Sequence, residues 1–270
     1  MREATFTIPA GSHMVPVAGL LRRGLKVATA IDAGCADGDF LLFLKAAGVL
    51  GKAACLNIEA NRLYEESLRA IETVTGTGFH IGPLAAKPGP VTITRGAHPY
   101  WNSMRTRRDA YWKGSGVTAQ GSNRATATTL DRLVRDRKLA GPFLIKLDVQ
   151  AGEIEVLKGA RETLKETAVL VVETHRDDWR HVDRLLEKAG FELFDVAEVG
   201  RNIEGNLAWL YGVYLERSLM AKFAAPFWTE ADAAQVVARQ EQRRATMLAR
   251  NAGLLEYLRT RAASTTAGPA

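Results

Sequence analysis

Residues 143–160 read FLIKLDVQAGEIEVLKGA, a stretch that passes from an apolar run through charged residues into a helical pattern. The apolar residues from 143 to 149 predict a buried strand, and the residues from 153 onward predict a helix. Lys146, Asp148 and Glu153 stand where the strand should end and the helix should begin. Open α/β sheets bind their ligands at the carboxyl ends of the strands, near the point where the strand order reverses. We therefore predict that these three charged residues belong to an active site.

The same alternation of strand-like runs and helical patterns continues on both sides of this stretch. It begins at residue 27 with VATAIDA, DFLLFLKAAG and KAACLNIEA, and it ends near residue 215 with FELFDV and LAWLYGVYL. Such alternation is typical of βα units around a buried parallel sheet. We predict an α/β fold with a doubly wound, mostly parallel sheet of seven strands, whose last two strands pair antiparallel through the loop 197–207. PVTITR should be a further strand, and EIEVLKGARETLKE a single helix.

Three regions fall outside this alternation. Residues 95–124 mix basic and aromatic side chains without a sustained period, which predicts a long surface loop. The tail from Thr229 carries apolar residues at helical spacing, and Gly253 should divide it into two helices. GSHM at 11–14 resembles the scar of an expression tag, so residues 1 to about 20 are left out of the predicted fold. The predicted organisation is an N-terminal segment at 1–26, the α/β domain at 27–217 and a C-terminal helical extension at 218–270.

The composition bounds the class of protein. A chain of 270 residues with 47% hydrophobic and 24% charged residues is ordinary for a globular protein. The net charge of +6 permits an anionic partner, such as nucleic acid, a sugar nucleotide or a membrane surface, without requiring one. Cys35 and Cys55 lie in apolar runs without metal-ligand spacing, which predicts reduced core cysteines. Because no apolar run approaches the roughly 20 residues of a membrane span, we predict a cytoplasmic protein without a transmembrane segment.

The loop after the first strand, IDAGCADGD, has the features of a nucleotide-binding turn. Gly34 and Gly38 let the backbone turn tightly beside a ligand, and no Lys-Ser or Lys-Thr pair for a triphosphate follows them. Glu59 ends the second strand about 20 residues later, where a carboxylate binds ribose hydroxyls. Asp32 and Asp37 would repel a pyrophosphate but attract the ammonium and sulfonium groups of S-adenosylmethionine. The pattern predicts S-adenosylmethionine as cofactor; the alternative is a merely tight turn with a solvated Glu59.

Four ordered motifs resemble those of the FkbM family of S-adenosylmethionine-dependent methyltransferases. IDAGCADG at 31–38 is similar to the family's D-x-G-A-N-x-G, and IEANRLYEESL at 58–68 to its E-P-N-x-x-x-x-x-x-L. TTLDRL at 128–133 is similar to T-L-D-x-L, and IKLDVQAGEIEVLKGA at 145–160 to K-I-D-V-E-G-x-E-x-x-V-L-x-G-A. The resemblance covers about residues 27–215. It implies a class I, Rossmann-like methyltransferase fold and methyl transfer from S-adenosylmethionine to a hydroxyl of a saccharide, glycolipid or related secondary metabolite.

The chain also departs from these motifs. Ala36 stands where the family usually has Asn, Ala60 where it has Pro, and Ala151-Gly152 where it has Gly followed by a variable residue. The reversed glycine bears on the substrate side of the site, whereas the cofactor residues are kept. The predicted cofactor-binding residues are Asp32, Gly34, Asp37, Gly38, Glu59, Asn61 and Asp148.

The candidate catalytic residues follow two predicted strands. The resemblance implies that Asp148 and Glu153 line the active site, and Lys146 lies beside them. Methyl transfer to oxygen is an in-line displacement in which the protein aligns the acceptor hydroxyl and takes its proton. His175 ends the strand AVLVVET, and its usual pKa of about 6.5 suits a general base; a rim histidine bonded to a neighbouring loop explains its position equally well. Asp148, Glu173 and His175 could also hold a divalent cation such as Mg²⁺.

The basic and aromatic loop has two interpretations. As an acceptor lid, Trp101 and Trp112 would stack on sugar faces while Arg105 meets a phosphate or carboxylate. As a solvated basic loop, it would contact no substrate.

Three functions stay open at this point. The first is the O-methyltransferase of saccharides or glycolipids that the resemblance implies. The second is a ribose 2′-O-methyltransferase acting on RNA, favoured by the charge and by Lys146, Asp148 and Glu173, although no separate RNA-binding module is recognisable. The third is a catalytically inactive scaffold that binds the cofactor, with the C-terminal helices as a partner-binding arm. Those helices could also cover the sheet or form a homo-oligomer.

Overall fold

A computed structural model describes residues 8–98, 102–104, 119–224 and 230–266. Within these residues the strands are β1 Thr29–Ala33, β2 Ala54–Glu59, β3 Gly78–Ile81, β4 Gly89–Arg95, β5 Gly121–Ala127, β6 Phe143–Leu147, β7 Thr167–His175, β8 Phe191–Arg201 and β9 Leu207–Glu216. Seven of them form one sheet in the order β3-β2-β1-β6-β7-β9-β8. β9 runs antiparallel to β7 and β8, and the other pairs are parallel. The predicted doubly wound, mostly parallel sheet of seven strands is confirmed.

The helices in the described residues are α1 Met14–Arg22, α2 Asp39–Ala46, α3 Glu65–Thr75, α4 Leu130–Asp136, α5 Glu153–Lys158, α6 Arg161–Lys165, α7 Trp179–Lys188, α8 Arg217–Phe223 and α9 Glu230–Thr266, with a 3₁₀ turn at Arg62–Tyr64. The helices from α1 to α8 cover both faces of the sheet. Gly190 follows α7 in the left-handed conformation, with φ +94°, as a helix C-terminus often requires.

Two apolar cores hold the helices to the sheet. One lies on the face of α1, α2 and α8, and its buried side chains include Leu20, Phe40, Leu144, Val171 and Phe223. The other lies under α4 to α7, and its buried side chains include Ile31, Ile145, Leu170, Val182 and Tyr214. β1 and β6 are buried at every residue, because both of their faces pack against helices. This double burial explains why their sequences are continuous apolar runs interrupted only where the site begins.

Two strands, β4 and β5, lie at the ends of the stretch 95–124 and form a hairpin, of which the sequence predicts β4 but not β5. β4 and β5 pair antiparallel from Gly89↔Ala127 to Arg95↔Gly121 and stand apart from the main sheet. The predicted loop is therefore wrong from residue 121, because β5 reads GSNRATA, a largely exposed polar strand with no apolar alternation. Ser103 also exchanges backbone hydrogen bonds with Thr94, of 2.7 and 3.0 Å. This contact brings residues 102–104 alongside β4.

Two helix predictions are wrong in detail. The single helix predicted from residue 153 is broken at Gly159, where a Cβ atom would lie 2.3 Å from the Ala85 carbonyl oxygen. A second helix, α6, starts there, and its backbone N–H groups at 162 and 163 donate to the Asp131 carboxylate. In contrast, Gly253 does not divide the tail, since α9 runs through it. One glycine inside a helix costs only about 1 kcal/mol, which a long helix tolerates.

Leaving residues up to about 20 out of the fold was also wrong. Met14, Val17, Ala18 and Leu20 of α1 are all buried in the core on the α2 side of the sheet. The sequence signal was weak because the helix has only nine residues and follows a tag-like tetrapeptide. The N-terminal segment is therefore structural, and its residue His13 contacts Tyr211 beside the candidate site.

The chain divides into two compact units, Met1–Phe223 and Ala224–Ala270. The first contains the sheet with α1 to α8, and the predicted boundary after residue 217 coincides with the start of α8. The second contains the single helix α9. None of the helices in the described parts of the chain has the length and apolar character of a membrane span. Cys35 and Cys55 are buried and unbridged, which confirms the prediction of core cysteines.

Candidate active site

The site lies where the strand order reverses, between β1 and β6. The loops after these two strands touch, because the Asp148 N–H donates to the Ala33 carbonyl oxygen at 2.9 Å. Gly34 has φ +78°, and a Cβ atom at this position would lie 1.8 Å from the Asp148 carbonyl oxygen. Only glycine permits this approach of the two backbones. The predicted glycine turn therefore also fixes the position of Asp148.

A cavity opens beside this junction. The Glu59 carboxylate lies in its wall and accepts hydrogen bonds from the N–H groups of Ala36, at 2.9 Å, and Asn61, at 2.7 Å. Burial raises the pKa of Glu59 above its usual value, although these N–H groups act in the opposite direction. The cavity is lined by residues 34, 36, 58–60, 64, 82–84, 93, 102–104 and 148–150. Its walls are mainly apolar, with Glu59 and Asp148 as the carboxylates that face it.

The predicted cofactor residues take different positions around this cavity. Gly34, Glu59 and Asp148 line it. Gly38, with φ +83°, packs under the loop, where a Cβ atom would meet the Asn57 amide at 2.9 Å. Asp37 is exposed. The Asn61 side chain accepts a hydrogen bond from the Leu63 N–H at 3.1 Å and so starts the 3₁₀ turn, while Asp32 is fully buried on the sheet.

Asp32 belongs to a buried ionic cluster centred on Lys146. The Lys146 Nζ lies 3.2 Å from Asp32 Oδ1 and 3.4 Å from Asp148 Oδ2, and its side chain is only 6% exposed. Burial alone would lower the pKa of Lys146, but the charges of Asp32 and Asp148 outweigh burial and raise it. Burial raises the pKa of Asp32 to about 6, although Lys146 opposes the shift. At neutral pH the cluster therefore carries two carboxylates and one ammonium group.

Asp148 has the densest set of partners in the site. Its Oδ2 accepts a hydrogen bond from the Tyr211 hydroxyl at 2.6 Å, and its Oδ1 accepts one from Gln150 Nε2 at 3.0 Å. Burial would raise its pKa, but Lys146 and these donors lower the pKa to about 2. Gln150 Nε2 also donates to Glu173 Oε2 at 3.1 Å. Burial and the Asp148 charge raise the pKa of Glu173 well above its usual value.

Glu153 supports the loop that carries Asp148. It is buried at the start of α5, and its Oε1 accepts a hydrogen bond from the Val149 N–H at 3.0 Å. Burial raises the pKa of Glu153 to about 8. Gln150 and Ala151, in the same loop, have φ values of +53° and +67°, which are strained for residues other than glycine. Glu153 thus lies behind the cavity wall and holds a loop whose backbone is strained.

The residues named for a magnesium site do not form one. The Asp148 oxygens accept from Gln150 and Tyr211, and Glu173 accepts from Gln150. His175 ends β7 opposite Trp209 of β9 and is not among the residues that line the cavity. Across the described ranges, no group of three or more His, Cys, Asp and Glu side chains is arranged to hold a metal ion. The magnesium prediction is therefore wrong for these residues.

Several residues of the site have no signal in the sequence motifs. Tyr211 reaches Asp148 because β9 returns antiparallel beside β7, which places Tyr211 opposite Glu173. Ser103 Oγ donates to the Gln150 carbonyl oxygen at 2.5 Å and closes the cavity beside the strained loop. The predicted acceptor-binding residues Trp101, Arg105 and Trp112 lie outside the described residues.

This arrangement combines a mainly apolar cavity wall with a fixed negative charge. Asp148 stays ionised at any pH near neutrality and faces the cavity, so it can attract a cation or accept a hydrogen bond from a hydroxyl group. Tyr211 keeps its proton, because burial and the Asp148 charge raise the pKa of its hydroxyl, and the same two causes raise the pKa of Glu173. Of the two carboxylates that line the cavity, Glu59 and Asp148, Asp148 is the one held by donor side chains, those of Tyr211 and Gln150.

Comparison with known proteins finds methyltransferases among those similar to this chain. The model of the methyltransferase FkbM domain matches residues 32–193. The hexuronic acid methyltransferase AglP of Haloferax volcanii is 29% identical over 134 residues, which are 48% of this chain and 48% of that protein. A crystal structure of methyltransferase FkbM from Methylobacillus flagellatus is 17% identical, with a TM-score of 0.42 over 72% of this chain and 47% of that chain. Precorrin-6y C5,15-methyltransferase from Geobacter metallireducens is 12% identical, with a TM-score of 0.39 over 74% and 85% of the two chains.

These matches differ in how much of each protein they cover. The chain spans about half the length of AglP and of the Methylobacillus flagellatus protein. The family model, by contrast, covers 32–193, more than half of the 270 residues, and includes both the glycine turn and the segment with Lys146 and Asp148. The chain belongs to the FkbM methyltransferase family.

Proposed function

We propose that this chain is an S-adenosylmethionine-dependent O-methyltransferase that acts on a hydroxyl of a saccharide, glycolipid or related secondary metabolite. The observation that carries the proposal is that Asp148 is ionised and lines the same cavity as Glu59. The chain that holds this site belongs to the FkbM methyltransferase family. The similarity to a hexuronic acid methyltransferase supports a sugar acceptor.

The residues present suit S-adenosylmethionine. A Cβ atom at Gly34 would collide with the Asp148 backbone, so the glycine lets the loop after β1 and the loop of Asp148 meet at the cavity wall. Glu59 would accept hydrogen bonds from ribose hydroxyls, and the apolar side chains of Ile58, Leu84 and Val149 would pack against a purine ring. When bound, S-adenosylmethionine supplies an electrophilic methyl group on a positively charged sulfur. The Asp148 carboxylate would attract that positive charge.

The same carboxylate would orient the acceptor. An acceptor hydroxyl that donates to Asp148 Oδ1 presents its oxygen lone pair for an in-line displacement. Transfer of a methyl group to a neutral hydroxyl makes a protonated ether, which is a far stronger acid than a carboxylic acid. Asp148 can therefore take the proton despite its pKa of about 2. Lys146, Tyr211 and Gln150 hold the carboxylate in place through its 3.4, 2.6 and 3.0 Å contacts.

The experiment is a methyl-transfer assay with labelled S-adenosylmethionine and four acceptor pools: hexuronic acid-containing saccharides, neutral saccharides, glycolipids and RNA. We expect label in a saccharide or glycolipid pool and its loss in Asp148→Asn. Asp136→Asn, at an exposed site in α4, is the matched control and should keep full activity.

Three other outcomes of this assay would contradict the proposal in different ways. Label in RNA would overturn the acceptor assignment and favour a ribose 2′-O-methyltransferase. Calorimetric binding of S-adenosylmethionine without transfer to any pool would favour the inactive scaffold. Absence of both binding and transfer would contradict the cofactor assignment.

A further inference from the structure

His13, just before α1, lies against the acidic site although it is far from it in sequence. Its ring stacks on Tyr211, with the centroids 4.2 Å apart and an interplanar angle of 19°. The same ring stacks on Phe40 of α2 at 5.5 Å. His13 is 8% exposed, so the N-terminal segment closes this side of the site.

Glu198 holds the histidine from the other side. His13 Nδ1 lies 3.0 Å from Glu198 Oε2, and a carboxylate can only accept, so Nδ1 carries the hydrogen. Burial and the Lys146 charge lower the pKa of His13, although Glu198 and Asp148 oppose the shift. The ring is therefore neutral at neutral pH. Its Nε2 is buried and has no hydrogen-bond partner among the described residues.

The backbone of β8 is deformed at the glutamate. The register with β9 shifts between Ala197 and Val199, so Glu198 is the extra residue of a β-bulge. Glu198 also has φ +45°, a conformation that favours glycine. Bulges near active sites often redirect a side chain, and strained residues persist where the surroundings fix them. Here the redirected carboxylate meets His13.

A chain of contacts then leads from His13 to Asp148, the candidate catalytic carboxylate. Tyr211, which the His13 ring covers, donates its hydroxyl hydrogen to Asp148 Oδ2 at 2.6 Å. We propose that the Glu198–His13 pair is a positioning device that fixes Tyr211, and through Tyr211 the orientation of Asp148. Its effect on methyl transfer rests on the proposed function, whereas its effect on Tyr211 does not. His13 is thus a positioning residue supplied by the N-terminal segment.

The first test reads Tyr211 directly and needs no acceptor. Tyrosine labelled with ¹³C at Cζ gives one resonance for each tyrosine, and Tyr211→Phe identifies that of Tyr211. We expect His13→Ala to move this resonance, and Glu198→Gln, which keeps an acceptor for the His13 Nδ1–H, to leave it near its original position. Met14→Ala is the matched control, because Met14 is buried in the same segment but makes no ring contact with Tyr211. A Tyr211 resonance that His13→Ala leaves unchanged, or that Met14→Ala moves equally, overturns the proposal.

The second test measures kcat and KM with a glucuronic acid-containing disaccharide as the probe acceptor. We expect His13→Ala to lower kcat by about ten- to a hundredfold, as expected for a misplaced reacting group, with an unchanged KM for S-adenosylmethionine. Glu198→Gln, which keeps an acceptor for Nδ1–H, should retain more activity than Glu198→Ala. Because His13 acts through Tyr211, His13→Ala should have little further effect in a Tyr211→Phe background.

The outcomes of the second test separate the two proposals. Additive effects of His13→Ala and Tyr211→Phe on kcat, or a His13→Ala variant as active as the wild type, contradict the positioning role. Absence of transfer by the wild-type protein counts against the proposed function, and the Tyr211 resonance then decides the positioning claim alone.

Discussion

Replacing Lys146 by methionine removes the one cation of the buried ionic cluster and should destabilise the fold strongly. Lys146 Nζ contacts carboxylates of Asp32 and Asp148 at 3.2 and 3.4 Å, and Asp32 is fully buried. Breaking a buried ion pair by removing one partner costs about 3–5 kcal/mol, because the other charge loses its compensation. For a domain of this size that cost lowers the melting temperature by about 6–20 °C.

The loss should depend on pH in a defined direction. In the wild type the pKa of folded Asp32 is about 6, above its usual value of 3.8, so this group makes stability fall as pH rises through that interval. Without Lys146 the pKa of Asp32 rises further, so the decrease in stability with rising pH extends above pH 6. The pKa of folded Asp148 is about 2, below its usual value of 3.8, so this group stabilises the wild type above pH 3.8. Without Lys146, Asp148 loses the main cause of this lowered pKa. The penalty of Lys146→Met should therefore be larger at high pH than at low pH.

The assay is thermal unfolding of the wild type and Lys146→Met at about pH 5 and about pH 8, on either side of the Asp32 pKa. Lys158→Met is the control, since Lys158 pairs with Glu155 on an exposed face of α5, and such pairs contribute about 0–1 kcal/mol. A penalty for Lys146→Met no larger than that of Lys158→Met, or an equal penalty at both pH values, would refute the reasoning.

Four further perturbations test the cavity and its loops. Gly34→Ala places a Cβ atom 1.8 Å from the Asp148 carbonyl oxygen, so we expect calorimetry to show loss of S-adenosylmethionine binding; retained affinity would contradict the observed junction. Glu59→Gln should raise the Kd for S-adenosylmethionine by about tenfold, as for a lost charged hydrogen bond, and an unchanged Kd would remove Glu59 from the cofactor site. Ala151→Gly relieves a φ of +67° and should stabilise the fold by about 1 kcal/mol in thermal unfolding, whereas a lower melting temperature would show that the loop is not strained. A chelator should leave the rate of methyl transfer unchanged, because the Asp148 carboxylate accepts hydrogen bonds from Gln150 and Tyr211 instead of binding a metal ion. Inhibition by the chelator that added Mg²⁺ reverses would contradict this.

The fold could be predicted from the sequence where strands are buried on both faces, because such strands consist mainly of apolar residues. β1 and β6 are buried on both faces, and their apolar runs end at the residues that form the site. β5 could not be predicted in this way, because it is a polar strand that pairs only with β4. The break at Gly159 depends on close packing against Ala85, a tertiary contact that no local pattern contains.

The candidate site likewise contains residues that local sequence patterns predict and residues that they do not. Gly34, Glu59 and Asp148 follow strands of the predicted sheet, so strand order and motif spacing place them together. Tyr211 is 63 residues from Asp148 and meets it only because β9 runs antiparallel beside β7. His13 lies in a segment whose composition gave no sign of a fold. Local patterns predict the strand ends of the parallel sheet, but they do not predict which later elements close over them.

Identification of the transferred group tests the central claim most directly. S-adenosylmethionine with a ¹³C-labelled methyl group is incubated with the wild-type protein and a hexuronic acid-containing saccharide, and the product is analysed by carbon NMR and mass spectrometry. The account predicts a single labelled methyl group with the chemical shift of a methoxy carbon on the saccharide, formed by the wild type and not by Asp148→Asn. A labelled methyl group on nitrogen or carbon, or equal product from Asp148→Asn, would contradict it.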